Sequence, residues 1–183
     1  NILNSCLTTL DFLSNKSQLF IWDNSKDPVI QKFCNDHNLN YKGSNNIGFG
    51  RGHNKNIINF CSSKKFKSVL ILNPDLMIRP CDIKRLLTTL EKNLNCKLIS
   101  PLLINEDGTK QNSIRKIPNF FDFVFRLIIS DYKNFKINNK NIFSVPFVHG
   151  ACYLIRAEDV KKLYNFDNRF FLYCEDLDLC RKV

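Results

Sequence analysis

Apolar residues recur at helical spacing over the first thirteen positions, where Ile2, Leu3, Cys6, Leu7, Leu10 and Leu13 share one face. Positions 18–22 then read as a short strand, which ends in the polar run Asp23-Asn24-Ser25-Lys26-Asp27-Pro28. Val29, Ile30 and Phe33 suit a second helix, and 39–42 a weak strand. The stretch 43–52, rich in Gly and Asn, is loop or helix start, and 54–61 continues as helix. Ser68-Val69-Leu70-Ile71-Leu72 is apolar without alternation, the pattern of a central parallel strand covered on both faces. It stops at Asn73-Pro74-Asp75. Pro80 can occupy a first helical position, and Ile83, Leu86, Leu87, Leu90 and Leu94 form a clear stripe behind it. Positions 97–100 read as a strand, Glu106-Asp107-Gly108 as a turn, and 120–129 as an apolar helix. The most polar stretch, 134–141, reads as a mobile loop. Strands at 144–148 and 151–155 flank His149-Gly150, and a short helix follows over 157–164. Glu175-Asp176 open a last helix, with Leu177, Cys180 and Val183 at helical spacing.

Helices and strands therefore alternate along most of the chain, which predicts an α/β domain with a largely parallel sheet. A length of 183 residues suits one domain with a sizeable core. No run of apolar residues is long enough to span a bilayer. The chain begins with Asn1 rather than Met, its first residues lack the pattern of a signal peptide, and it reads as a fragment.

Eight cysteines raise the question of disulfides, but they are scattered, mostly among apolar residues, and none forms a C-x-x-C pair. Cys34 with His37, and His149 with Cys152, have a spacing that can serve zinc, yet neither lies near a second pair. Free thiols packed as small apolar groups in a reducing cytosol are the better reading. Basic residues outnumber acidic ones by 27 to 17, a formal charge of +10. That surplus suits a nucleic acid, an anionic membrane face or a phosphate-bearing substrate. The basic residues are spread out, with no Arg-rich helix, finger motif or aromatic-basic repeat, so nucleic acid is not the expected partner.

Ligands of open parallel sheets lie beyond the carboxyl ends of the strands. Three such ends here carry polar residues: Asp23-Asn24-Ser25, Asn73-Pro74-Asp75 and His149-Gly150. The carboxylates could bind a divalent cation that in turn holds phosphate oxygens. Pro74 fixes its own φ and pushes Asn73 toward an extended shape, so Asp75 leaves the strand in a defined direction. Taken alone, Asn-Pro-Asp is better read as an ordinary turn, and His149 as a satisfied histidine. Gly48-Phe49-Gly50-Arg51-Gly52 is not the dinucleotide-binding pattern. Close approach to a ligand, with Arg51 near a phosphate, weighs there about evenly with loop flexibility and a helix cap. The aromatic run 165–174 delivers Glu175-Asp176 to a helix start, a partly dry place where an acid can be tuned to take a proton from a hydroxyl. The plainer reading is that two acids favour a helix N-terminus.

The ordered set is more specific than any piece. Asp23-Asn24-Ser25 is followed by Asn46-x-Gly48-Phe49 and Asn54, Leu72-Asn73-Pro74-Asp75, Ser100-Pro101 with Asp107-Gly108, His149-Gly150-Ala151-Cys152 with Leu154-Ile155-Arg156, and Phe166-Asp167-x-x-Phe170-Phe171-x-Tyr173-x-Glu175-Asp176-x-Asp178-Leu179-Cys180-x-Lys182. This set resembles family 2 glycosyltransferases of the GT-A fold, especially the bacterial rhamnosyltransferase-like branch, over nearly the whole chain.

The resemblance implies a single GT-A domain over 1–183, with a Rossmann-like, mostly parallel sheet flanked by helices. It implies an inverting transfer of a sugar, rhamnose at the level of the branch, from a nucleotide-diphosphate donor to a cell-surface glycan or lipid-linked acceptor, with Mg²⁺ or Mn²⁺ as cofactor. Asp23 would accept a hydrogen bond from the donor's base, with Asn24, Arg51, Asn54 and Asn73 also on the donor. Asp75 would meet metal and diphosphate. His149, Gly150 and Ala151 would line the sugar pocket. Asp176 would be the general base, with Glu175 coupled to it. The chain departs from the family pattern in lacking its first strand and the segment after the Glu-Asp helix, in Asn73 for the first acid of Asp-x-Asp, and in Trp22 for a small aliphatic residue. It is therefore expected to be incomplete at both ends. The expected setting is cytoplasmic, with peripheral contact at the anionic inner face of the membrane. A truncated, non-catalytic nucleotide-sugar binder is the alternative.

Overall fold

A computed structural model describes residues 19–61, 66–115, 142–163 and 166–183. The helices expected over 2–13 and 120–129 and the loop expected over 134–141 lie outside the described residues, as do Gln18 and Tyr164.

β1 (Phe20–Asp23) runs through α1 (Pro28–Asp36) into β2 (Asn40–Gly43), and the two strands pair in parallel from Phe20↔Asn40 to Asp23↔Gly43. Asp27 starts α1: its carboxylate accepts the Val29 N–H at 2.8 Å, and Pro28 supplies a first-turn residue that needs no such partner. α2 (Phe49–Cys61) packs on β1 and leads to β3 (Ser68–Leu72) and α3 (Pro80–Lys92). The remaining elements are β4 (Leu98–Ile99), β5 (Ile114–Arg115), β6 (Phe147–Val148), β7 (Cys152–Arg156), α4 (Ala157–Leu163) and α5 (Glu175–Lys182).

The architecture is mixed α/β, but its strands do not form the largely parallel sheet that was expected. Among the described residues there are three small sheets: parallel β1-β2, antiparallel β3-β7-β4 and antiparallel β5-β6. The central, doubly covered strand is β7, where Cys152, Tyr153, Leu154 and Ile155 are all buried. Cys152 and Leu154 pack with Ile78, Ile83, Leu86 and Leu90 on the α3 side. Tyr153 and Ile155 alternate to the other face, against Ile71, Val160, Phe166 and Leu179. β3, predicted to be central, runs antiparallel to β7, pairs only on that side among the described residues, and buries only Ile71. Arg156 ends β7 and ties the layers together. Its guanidinium donates to the carbonyls of Asn93 at 2.8 Å, Cys96 at 3.3 Å and Leu90, satisfying acceptors at the end of α3.

Most other boundaries fall within two residues of the sequence reading. β5 had no sequence signal, because a two-residue strand shows no period. The expected turn at Glu106-Asp107-Gly108 is present: Gly108 has φ +81° and Asp107 accepts the Thr109 N–H at 2.9 Å.

Candidate active site

The end of β1 is organised by one buried carboxylate. Asp23 Oδ1 accepts the Ser25 N–H at 2.7 Å and the Ser25 hydroxyl at 2.5 Å, while Oδ2 accepts the Asp27 N–H at 2.9 Å and the Tyr41 hydroxyl at 2.8 Å. Burial raises the acid's pKa, but donation from Ser25, Tyr41 and the Asp27 amide outweighs it and holds the carboxyl below its usual range. Its own burial, and then the same contact, push Tyr41 up to about 12. Four donors use the acceptor sites a carboxylate offers, so Asp23 shapes the loop that carries Asn24. Asn24 spans to the next segment: its amide donates to the Gly48 carbonyl at 3.2 Å and accepts the Ile47 N–H at 3.4 Å.

The glycine row before and within α2 is a packing seam. Gly48 has φ +91°, and a Cβ there would collide with the Phe171 carbonyl, whose oxygen also accepts the Phe49 N–H at 3.1 Å. At Gly50 a Cβ would stand 2.7 Å from Phe166 Cβ, and at Gly52 3.1 Å from the Trp22 ring. Asn54, buried one turn on, makes a two-way clamp on the same segment. Its Nδ2 donates to the Phe166 carbonyl at 2.8 Å and its Oδ1 accepts the Phe166 N–H at 3.0 Å. Arg51 Nε donates to the Asn168 carbonyl at 2.8 Å, joined by Nη2. Arg51 and Asn54, expected to face a donor, are thus seen holding the 166–171 segment that leads into α5. His53 packs edge-on to Phe49 and against Phe166, and burial pushes it down to about 4.

That segment places Glu175 and Asp176 against the loop before β7. Asp176 Oδ2 accepts the Gly150 N–H at 3.1 Å and Oδ1 the Leu177 N–H at 2.8 Å. Position 150 has no space to spare: a Cβ would lie 3.3 Å from Asp176 Cβ and 3.5 Å from the Tyr153 hydroxyl. The next residue, Ala151, accepts the Asn73 N–H at 2.9 Å, which extends the β3-β7 ladder to the Asn73-Pro74-Asp75 turn. One dipeptide, Gly150-Ala151, therefore joins the α5 N-terminus to the strand end bearing Asp75. Asp75 itself is exposed. The β1 end is tied to the segment before α5 through Asn24, Gly48 and the Phe171 carbonyl.

Glu175 is 6% exposed, and its Oε2 has no hydrogen-bond partner among the described residues. Burial raises its pKa and the Asp176 charge adds to this, while its own backbone amide and nearby His149 pull the other way. His149 is exposed, its amide fixed by the Ser113 carbonyl at 2.8 Å. Sequence reasoning missed Tyr153 and Ser113, which support this loop. Tyr153, fully buried, donates its hydroxyl to the Val148 carbonyl at 3.1 Å. Neither stands in a recognisable motif. Among the described residues no three His, Cys, Asp or Glu side chains cluster as a metal site. A hard cation held with substrate phosphates needs only one or two carboxylates, and exposed Asp75 at a turn suits that mode.

No protein-family model matches the chain. It is similar to the rhamnosyltransferase WbbL of Escherichia coli K12, with 28% identity over 91% of this chain and 66% of that protein. It is also similar to the low-salt glycan biosynthesis hexosyltransferase Agl10 of Haloferax volcanii, with 28% identity over 93% and 54%. An N-acetylglucosaminyl-diphospho-decaprenol L-rhamnosyltransferase of Mycobacterium tuberculosis matches at 25% identity over 61% of this chain and 39% of its own. The chain thus spans between about half and two thirds of the first two relatives. These matches over most of the chain support a rhamnosyltransferase-like place among family 2 glycosyltransferases.

Proposed function

We propose that this chain carries the donor site and general base of an inverting glycosyltransferase. The substrates in this reading are a nucleotide-diphosphate sugar, with rhamnose the branch-level choice, and a glycan or lipid-linked saccharide. The observation that carries it is the link from Asp176 through Gly150-Ala151 to the Asn73-Pro74-Asp75 turn. Inversion needs a base on the face of the sugar opposite the leaving diphosphate, and no protein nucleophile. Asp176, fixed by the Gly150 and Leu177 amides, is the base that takes the acceptor hydroxyl proton. His149, Gly150 and Ala151 line the sugar, and the β1 end with Asp23 and Asn24, together with Asn73, frames the nucleotide. Arg51 and Asn54 serve the site through the segment they hold. A Mg²⁺ or Mn²⁺ ion at Asp75 would neutralise charge on the departing diphosphate. No helix among the described residues is long and apolar enough to cross a membrane. Lipid-linked acceptors are reached in this reading by peripheral docking of the basic surface on an anionic inner leaflet.

Asp176→Asn in the full-length protein tests the assignment. Transfer is expected to fall by about 10²–10⁴-fold, with nucleoside diphosphates still raising the melting temperature in the presence of Mn²⁺. Near-normal turnover in this variant overturns the base assignment. A nucleotide-dependent thermal shift with no turnover in the unaltered protein leaves a binding module instead.

A further inference from the structure

Phe171, Leu172 and Tyr173 are 52%, 51% and 75% exposed, three large side chains offered to solvent immediately before the Glu175-Asp176 pair. Their backbone is anchored. The Phe171 carbonyl is held by the Phe49 amide, Gly48 lies against it with no room for a side chain, and Asn54 and Arg51 grip Phe166 and Asn168 upstream. Phe166 does the packing for this segment, being wholly buried, and Phe171 does not. Downstream, Tyr173 and Cys174 both take φ +68°, the left-handed region that residues with a side chain avoid. Two consecutive strained residues directly after two large exposed side chains, Phe171 and Leu172, are not explained by packing of the core. Strain held in place by surrounding structure concentrates where a ligand is clamped.

We propose that Tyr173, flanked by Phe171 and Leu172, is a platform on which a pyranose ring of the acceptor stacks, so that a hydroxyl is offered to Asp176 three residues on. This rests on the reading of Asp176 as the general base. A pyranose has an apolar face of C–H groups and a polar rim of hydroxyls. An exposed aromatic ring meets the first, and a phenolic hydroxyl and the nearby carboxylate meet the second. The left-handed pair turns the chain between the anchored Phe171 carbonyl and the first turn of α5, leaving Tyr173 outside the core.

The test uses the whole chain and methyl pyranosides of the gluco, manno, galacto and N-acetylglucosamine configurations as probes. Saturation-transfer NMR is expected to show the protein irradiating one face of at least one of these rings. Tyr173→Ala is expected to reduce that transfer severalfold, and Tyr173→Phe to retain most of it. In parallel, the emission of Tyr173→Trp is expected to change saturably with the same probe, whereas the unaltered protein, whose single tryptophan is Trp22 on β1, stays constant. Transfer equal in the Ala variant, or absent from all four probes in a folded protein, overturns the platform. Neither result depends on turnover, so failure of the general-base assignment is read separately, from the turnover of Asp176→Asn.

Discussion

Asp23 and Glu175 are both buried carboxylates, and their surroundings drive them in opposite directions. Asp23 has four donors, so its pKa falls; the stability it contributes is present above its ordinary value and lost as pH drops through the lowered one. Glu175 has an oxygen with no partner among the described residues, and its pKa rises. A raised acid favours the folded state while protonated. That advantage is complete below the ordinary value of about 4.5 and disappears as pH rises through the folded value. Above that ordinary value, the burial of Glu175 beside Asp176 therefore opposes folding. Glu175→Gln is expected to raise the melting temperature at pH 7–8, by about 2–4 °C per kcal/mol relieved, with the gain shrinking as pH falls toward 4.5. Melting curves of the two proteins across pH check this, and a difference independent of pH contradicts it. At this scale the sequence was partly legible. Acids at a strand end and a helix start stood out, whereas Tyr41, which satisfies Asp23, and Tyr153, which supports the loop beside Asp176, carried no local signal.

Among the elements, α2 shows what a motif can conceal. Gly48-x-Gly50-x-Gly52 read as either flexibility or ligand approach, yet each glycine makes room for a specific neighbour: Phe171, Phe166 and Trp22. Gly48 and Gly108 separate backbone strain from packing. Both have positive φ, but a Cβ at Gly108 meets nothing within 4 Å, while at Gly48 it meets the Phe171 backbone. Gly108→Ala is expected to lose about 1–2 kcal/mol in urea denaturation, the strain alone. Gly48→Ala is expected to lose roughly twice that or more, since the segment leading to α5 must also shift. Equal losses would show that the Gly48-Phe171 contact is easily relieved. The same scale explains what periodicity predicted well and where it erred. Ile83, Leu86 and Leu90 of the α3 stripe are buried as expected, because burial of one helix face writes a pattern into a few turns. Leu94, however, lies beyond α3 and is exposed, and β3 is a strand where expected yet buries only Ile71. Which strand is central depends on which helices close over it. α3 packs with one face of β7, and Val160 of α4 and Leu179 of α5 pack with the other, a choice made between segments far apart in sequence.

For the whole molecule, the site exists only through long-range contacts: Asn54 with Phe166 across 112 positions and Arg51 with Asn168 across 117. The ordered motifs marked the segments, but not that a clamp on 166–168 runs through α2. Net charge was the other whole-chain property, and the fold gives part of it a location. Cys81, Lys84, Arg85, Thr88 and Lys92 recur at helical spacing along α3 and, with exposed Ile142, line a groove of about 410 Å³. The neighbouring acid Asp82 is already paired with Arg79 at 2.7 Å, so Lys84, Arg85 and Lys92 present a positive stripe on this face. In the proposed peripheral docking this stripe would contribute about 1 kcal/mol per basic residue near an anionic leaflet. Cosedimentation with vesicles of phosphatidylglycerol in phosphatidylcholine is expected to show binding that weakens as salt shortens the Debye length. Replacing Lys84, Arg85 and Lys92 together by Glu is expected to lower vesicle affinity by about 10²-fold or more, while nucleotide-dependent thermal shifts persist because none of the three is among the residues proposed to hold the donor. Sedimentation unchanged in that variant would move membrane contact to another basic surface, and binding insensitive to phosphatidylglycerol content would remove charge as its basis.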